Sequence, residues 1–292
     1  MCNLLNDTKR SVKNKWFIVA CAVGVILSVI SAASSVKGYS EFSGDLQITE
    51  YNPLNPLNSL FTFWLGSGVR TKLIDVVLMF VPLLAALPYS WSLCHEKKKG
   101  IAEERINDQG ELRYYTGKYI AVFVSSGAVI AIIQLLNLLI NSLFIPAITP
   151  DPAYDIYFGV FSSHFLGDMF YTMPVLYELI FVMFSFILGG LIGCFGCAAG
   201  AVLRSRIAAV IIPGALFIAV ELLKNKIVDE TKEISPITFI GSASVLFDNI
   251  SIALIEMAFL FIFSFIIIVL GNLKKEKPAV GISTGSLEMI GE

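Results

Sequence analysis

The sequence predicts an all-α fold: a polytopic helical membrane protein with about six transmembrane helices and both termini in the cytoplasm. Three observations predict it. First, 56% of the residues are hydrophobic and 15% are charged, with a mean hydropathy of +0.76. Soluble domains are about a quarter charged, so this chain has too few polar residues to cover a globular surface. Second, the apolar residues lie in long, nearly uncharged runs of bilayer length. Third, Lys and Arg gather in alternate connecting segments.

The runs, in order, are 16–36, 73–93 (with Asp75 near its start), 119–144, 175–203 (with Glu178 near its start), 207–223 (with Glu221 near its end) and 250–273, interrupted only by Glu256. Each offers at least about 17 largely apolar residues, the lower limit for a helical span. In lipid, a single segment satisfies its backbone polar groups only as a helix. The first run follows Lys9, Arg10, Lys13 and Lys15 and precedes Ser31, Ala32 and Ala33, a pattern shared with cleaved signal peptides. Its uncharged length favours a retained span, because signal cores are shorter. Together the runs make one transmembrane domain, 1–275, followed by a flexible cytoplasmic tail, 276–292.

Orientation follows from the cations. One side holds 15: the four before the first span, Lys97, Lys98, Lys99, Arg105, Arg113 and Lys118 between spans two and three, Arg204 and Arg206 between spans four and five, and Lys274, Lys275 and Lys277 after the sixth. The other side holds six: Lys37, Arg70, Lys72, Lys224, Lys226 and Lys232. On the outer side, the stretch 234–247 is uncharged but too short to span, which suits a re-entrant or interfacial segment. Pro53, Pro56 and an aromatic piece with Phe61, Phe63 and Trp64 mark the first outer loop.

Several chemistries are excluded or weak. There is no phosphate-loop motif, so this chain does not hydrolyse ATP by that route and is not an enzyme on its own. His95 and His164 fall on opposite sides of the membrane, which excludes a multi-histidine metal site. The five cysteines, Cys2, Cys21, Cys94, Cys194 and Cys197, are an odd count and do not suggest a disulfide framework. Cys194 and Cys197 sit in a helix rich in glycine, and Gly189, Gly193, Gly196 and Gly200 are spaced for close helix packing. The net charge of −2 does not imply a nucleic-acid partner.

Ionisable and amide side chains at membrane depth are costly and each raises a functional question. Glu256 suits a translocation path or a structural pair with Lys72 or Arg70. Gln134, Asn137 and Asn141 share one helix face, which suits either that path or a helix contact.

The segment 94–118 is the one substantial polar loop. Glu96, Lys99 and Glu103 fall at helical spacing, as do Lys98, Ile101 and Arg105, so a short amphipathic helix is expected, broken at Gly110. A second short helix is expected to lead from Glu111 into span three. The plain reading is a solvated connector obeying the positive-inside rule.

The order of these residues also resembles the membrane subunits of ATP-binding-cassette exporters of the type-2 permease family. The resemblance rests on about 25 residues of motif and on the overall topology. It implies a coupling helix that docks on a separate ATPase subunit: Glu96 and Gly100 at the entry, Ile101 to Ile106 with Glu104 and Arg105 as the docking helix, and Arg113, Gly117 and Lys118 at the exit. Ile101 stands where a small hydroxyl residue often follows the glycine, and Lys97 to Lys99 is more basic than usual. The resemblance further implies a cell-membrane permease acting as a homodimer or as a heterodimer with a related permease. It would export an amphiphilic substrate (peptide, drug or lipid-like), with ATP and Mg²⁺ held by the ATPase partner. The rival class is a non-transporting membrane sensor, immunity or scaffold protein.

Overall fold

The computed structural model describes residues 2–46, 59–65, 72–154, 160–161, 166–227, 234–240 and 250–273. Among them the regular elements are all helical. In chain order they are α1 (Cys2–Val12), α2 (Lys15–Leu46), α3 (Leu60–Phe63), α4 (Lys72–Ala86), α5 (Ser92–Lys98), α6 (Ile101–Gln109), α7 (Glu111–Ser142), α8 (Gly167–Thr172), α9 (Pro174–Leu203), α10 (Arg206–Ile227), α11 (Pro236–Phe239) and α12 (Ser251–Ile268).

Five stretches are long and apolar enough to cross a membrane: Lys15–Glu41, Glu111–Ser142, Pro174–Leu203, Arg206–Lys224 and Ser251–Asn272. Their outward faces carry large apolar side chains, with Ile18 62%, Leu139 61%, Ile207 70% and Ile255 67% exposed. Water does not tolerate so much contiguous apolar surface, so the bundle fits a multi-pass membrane protein.

The second expected span, 73–93, is cut short. α4 has 15 residues, about 22 Å at 1.5 Å per residue, against a hydrocarbon core of about 30 Å. Leu87 still bonds back to Leu83 O at 3.1 Å. Pro88 then has no N–H to continue the ladder, and the chain turns through Leu87–Trp91 into α5.

Glycine sets how closely the central helices meet. α7 and α9 share the most extensive contact in the bundle. A Cβ on Gly190 would lie 2.8 Å from Phe123 O, and one on Gly189 would lie 2.7 Å from Ile130 Cγ1. At Gly193 it would collide with Ser126, and at Gly196 with Ala209 O. The expected role of this glycine series in close packing is what the structure has.

Two connections are tight. α9 ends at Leu203 and is capped by Arg204, whose φ of 51 is left-handed; only Arg204 and Ser205 separate it from α10. Ser205 N bonds Gly200 O at 3.2 Å, and its hydroxyl accepts from Ala208 N at 3.3 Å. The segment 234–240 carries α11, whose four residues are all buried. Ile240 O accepts from Gln134 Nε2 at 2.9 Å and from Ser185 Oγ at 3.4 Å, so this short non-spanning backbone is satisfied by protein. The rest of the expected re-entrant segment, and the tail 276–292, lie outside the described residues.

Candidate functional site

The loop 94–118 folds as a helical elbow. Gly100 adopts φ 73 and Gly110 φ 86, both in the region that favours glycine. Each ends one helix and starts the next. The single amphipathic helix expected from Glu96 to Arg105 is therefore split at Gly100, and Glu96 and Glu103 do not share a helix face. No second short helix precedes span three. Instead α7 runs unbroken for 32 residues from Glu111.

Beneath the elbow lies a closed cluster of ionisable groups. Lys118, fully buried on α7, donates to Glu96 Oε1 at 2.8 Å. Arg105 of α6 donates to the same oxygen at 3.1 Å and to Asp7 Oδ1 of α1 at 3.4 Å. Tyr114 donates to Glu96 Oε2 at 2.7 Å. Lys118 also donates to the Tyr89 hydroxyl at 3.3 Å and lies over that ring, 4.7 Å from its centroid. Two carboxylates thus face two cations, with two phenols closing the shell. Such a set is stable only when complete, because each ion has left water.

The cluster joins elements far apart in sequence. Asp7 comes from α1, Tyr89 from the turn after α4, Glu96 from α5, Arg105 from α6, and Tyr114 and Lys118 from α7. Around it pack Leu93, Ala102, Tyr115, Val122, Cys197 and Ile268. Lys97 donates to Asn272, just past α12, and caps the Tyr115 ring at 5.6 Å. Burial raises the Asp7 carboxyl above the ordinary range, with Lys118 partly opposing it. Burial also raises the Tyr89 phenol, so it stays protonated. His95, beside the cluster, is held below its ordinary value by burial and then by Arg206 and Lys99.

The expected docking residues therefore divide. Glu96 and Lys118 are inside and brace the elbow instead of presenting a surface. Arg105 is largely covered, with 18% of its side chain exposed. Gly100, Glu104 and Arg113 are exposed, together with Lys98, Lys99, Glu103 and Leu112, and Ile101 is half-buried. Sequence reading missed Asp7, Tyr89 and Tyr114. Asp7 is the only acid in the first 15 residues, and Tyr114 lies four before Lys118, the spacing of one helix face.

The amides among the expected path residues make interhelical and segment contacts. Asn137 is fully buried and donates to Ser28 O at 3.1 Å and Ser31 Oγ at 3.3 Å on α2, while its carbonyl accepts from Leu65 N at 2.7 Å. Asn141 donates to Asn137 Oδ1 at 3.0 Å. With Gln134 on Ile240, these amides tie α7 to α2 and to two short segments. Glu256 is half-buried on α12. Two further acids lie near span ends. Glu178 is fully buried, near the Trp64 indole. Glu221 pairs with Lys224 at 3.0 Å and accepts from Thr238 of α11 at 3.2 Å.

Cys194 and Cys197 are buried free thiols, and Cys194 donates weakly to Tyr119 O at 3.6 Å. Among the described residues no group of His, Cys, Asp and Glu is placed to hold a metal. Comparison of the chain with protein-family models, with curated proteins and with solved structures gives no match.

Proposed function

We propose that this chain is the transmembrane subunit of an ATP-binding-cassette exporter of the type-2 permease kind. It sits in the cell membrane as six spans, with the short α4 as the second and both termini cytoplasmic. It works as a homodimer or beside a related permease, and a separate ATPase subunit supplies ATP and Mg²⁺.

One observation carries this reading. The α5–α6 elbow is pinned through Arg105, Glu96 and Lys118 to the start of α7, the longest of the central helices. A solvated connector needs no buried ion cluster. An elbow that must transmit force does, because a load on α6 then moves α7 as a rigid piece. The outer face of the elbow offers Lys98, Lys99, Glu103, Glu104, Leu112 and Arg113 to a partner, while the cluster behind it supplies stiffness. The NH₂ groups of Gln134, Asn137 and Asn141 are each engaged by protein, and an amphiphilic substrate (peptide, drug or lipid-like) passes between two permease copies.

The test is gentle purification from the native cell with identification of co-purifying chains by mass spectrometry. The expected result is a stoichiometric ATPase subunit, lost in Glu103→Lys/Glu104→Lys while membrane insertion is kept. If the intact chain comes down alone, or with a partner lacking an ATPase motif, the exporter reading is overturned in favour of a sensor, immunity or scaffold protein.

A further inference from the structure

Two clefts adjoin at the elbow end of the bundle. The first, about 740 Å³, is walled by Lys9 and Arg10 of α1 and by Lys13 just after it on one side and by Trp91 and His95 on the other. The second, about 580 Å³, lies between the starts of α2 and α10. Its polar rim is Lys15 and Arg206, and its apolar wall includes Leu87, Ile207, Val210 and Ile211. Trp91 and His95 line both clefts, so the two share a wall.

The charge in this region is unbalanced. Among the described residues Lys9, Arg10, Lys13, Lys15 and Arg206 take part in no ion pair. Glu96 also borders the first cleft, but it is already held by Lys118 and Arg105. The buried His95 Nδ1 has no hydrogen-bond partner. Lys15 and Arg206 each open a long helix, so the positive ends of two helix dipoles add to the two side-chain charges. The other half of the site is apolar and open sideways: Ile207 is 70% and Ile211 51% exposed, on faces that belong to candidate spans.

A charged rim with an apolar wall running down a spanning helix has the shape of one ligand chemistry. We infer that the paired clefts bind an anionic phospholipid from the adjoining leaflet. Lys15 and Arg206 hold its phosphate, Lys13 and Arg10 face the rest of the headgroup, and an acyl chain lies along Ile207, Val210 and Ile211. A free phosphate or phosphorylated metabolite would use the rim and leave the apolar wall empty, so the wall selects the lipid. Trp16 and Trp91 flank the site, as amphipathic rings do at the membrane boundary.

The test reads tryptophan fluorescence in nanodiscs of phosphatidylcholine doped with brominated-chain phosphatidylglycerol or, at the same fraction, brominated-chain phosphatidylcholine. Bromine quenches an indole only at contact. Trp64, fully buried, serves as the unquenched internal reference. The expected result is stronger quenching by the anionic lipid. That preference should fall by about tenfold or more in Lys15→Gln/Arg206→Gln, since each cation near an anionic surface contributes appreciably. It should persist in Lys98→Gln/Lys99→Gln, two exposed cations of the elbow that do not line either cleft.

Equal quenching by the two lipids overturns the inference. So does an equal loss in the elbow variant, which would mean a diffuse surface potential, and so does relief of quenching by millimolar glycerol phosphate, which would mean a headgroup site without a lipid. Should the double variant fail to assemble, the native protein with the two lipids decides alone.

Discussion

Two buried polar networks sit on the same helix, about 28 Å apart along α7 at 1.5 Å per residue, and they are built on opposite principles. Around Lys118 the groups are charged and converge on one carboxylate. Around Asn137 they are neutral amides and hydroxyls, spread over α2, α3 and their flanks. The ionic cluster depends most on its shared carboxylate, because without Glu96 the fully buried Lys118 keeps no ion partner. The amide network fails bond by bond. A helix stiffly anchored at one end and loosely stapled at the other is suited to transmit motion from the elbow and yield at the far end.

The comparison breaks most visibly at Glu96. Glu96→Gln strands the fully buried Lys118 and leaves Arg105 with Asp7 alone, and breaking a buried pair costs about 3–5 kcal/mol. The expected outcome is a large fall in the denaturation midpoint in detergent, with α1 and the elbow becoming accessible to protease. Lys118→Met should cost less, about 2 kcal/mol, because Arg105 at 3.1 Å remains to hold Glu96. If the two variants cost the same in matched denaturation curves, the carboxylate is not the hub. Asn137→Ala, at the far end, should cost only about 1 kcal/mol, near the average for interhelical hydrogen bonds in membrane proteins. A loss as large as that of Glu96→Gln would erase the contrast.

The smallest expected effect is a pH slope from His95. Its folded-state pKa lies below the ordinary 6.5, so the folded protein binds fewer protons than the unfolded chain below that value. Stability is therefore full above about pH 6.5 and falls as the pH drops through the window toward the depressed folded value. His95→Gln should flatten this slope in stability measurements from pH 5 to 8. An unchanged slope would assign it to another group.

Much of the fold was legible because membrane spans are written as uninterrupted apolar runs. The long helices of 15–41, 111–142, 174–203, 206–224 and 251–272 overlap five of the six expected runs. The shortening at 73–93 has a local cause: hydropathy averages across Pro88, whereas the helix cannot. The glycine seam was legible from spacing alone. The elbow was half legible. Gly110 read as a breaker from the residues, whereas Gly100 stood at a helix start only through the family resemblance, because charged residues on either side of it fitted a single helical period. The ion cluster was hidden for a different reason. Its members lie between Asp7 and Lys118, a separation over which no periodicity connects them, and charged residues in a loop ordinarily read as solvated. Gln134, Asn137 and Asn141 were found as a stripe, but which of two roles they fill depends on what lies opposite, and sequence periodicity does not report that.

The left-handed Arg204 has a bearing on how the chain enters a bilayer. With only Arg204 and Ser205 between them, α9 and α10 have no slack to insert one after the other in independent orientations. The pair enters as a hairpin, and whichever side Arg204 and Arg206 occupy during synthesis fixes the sidedness of both helices at once. A longer linker would let each helix choose. This turn removes the choice, so the two arginines act as a topological latch for more than a sixth of the protein.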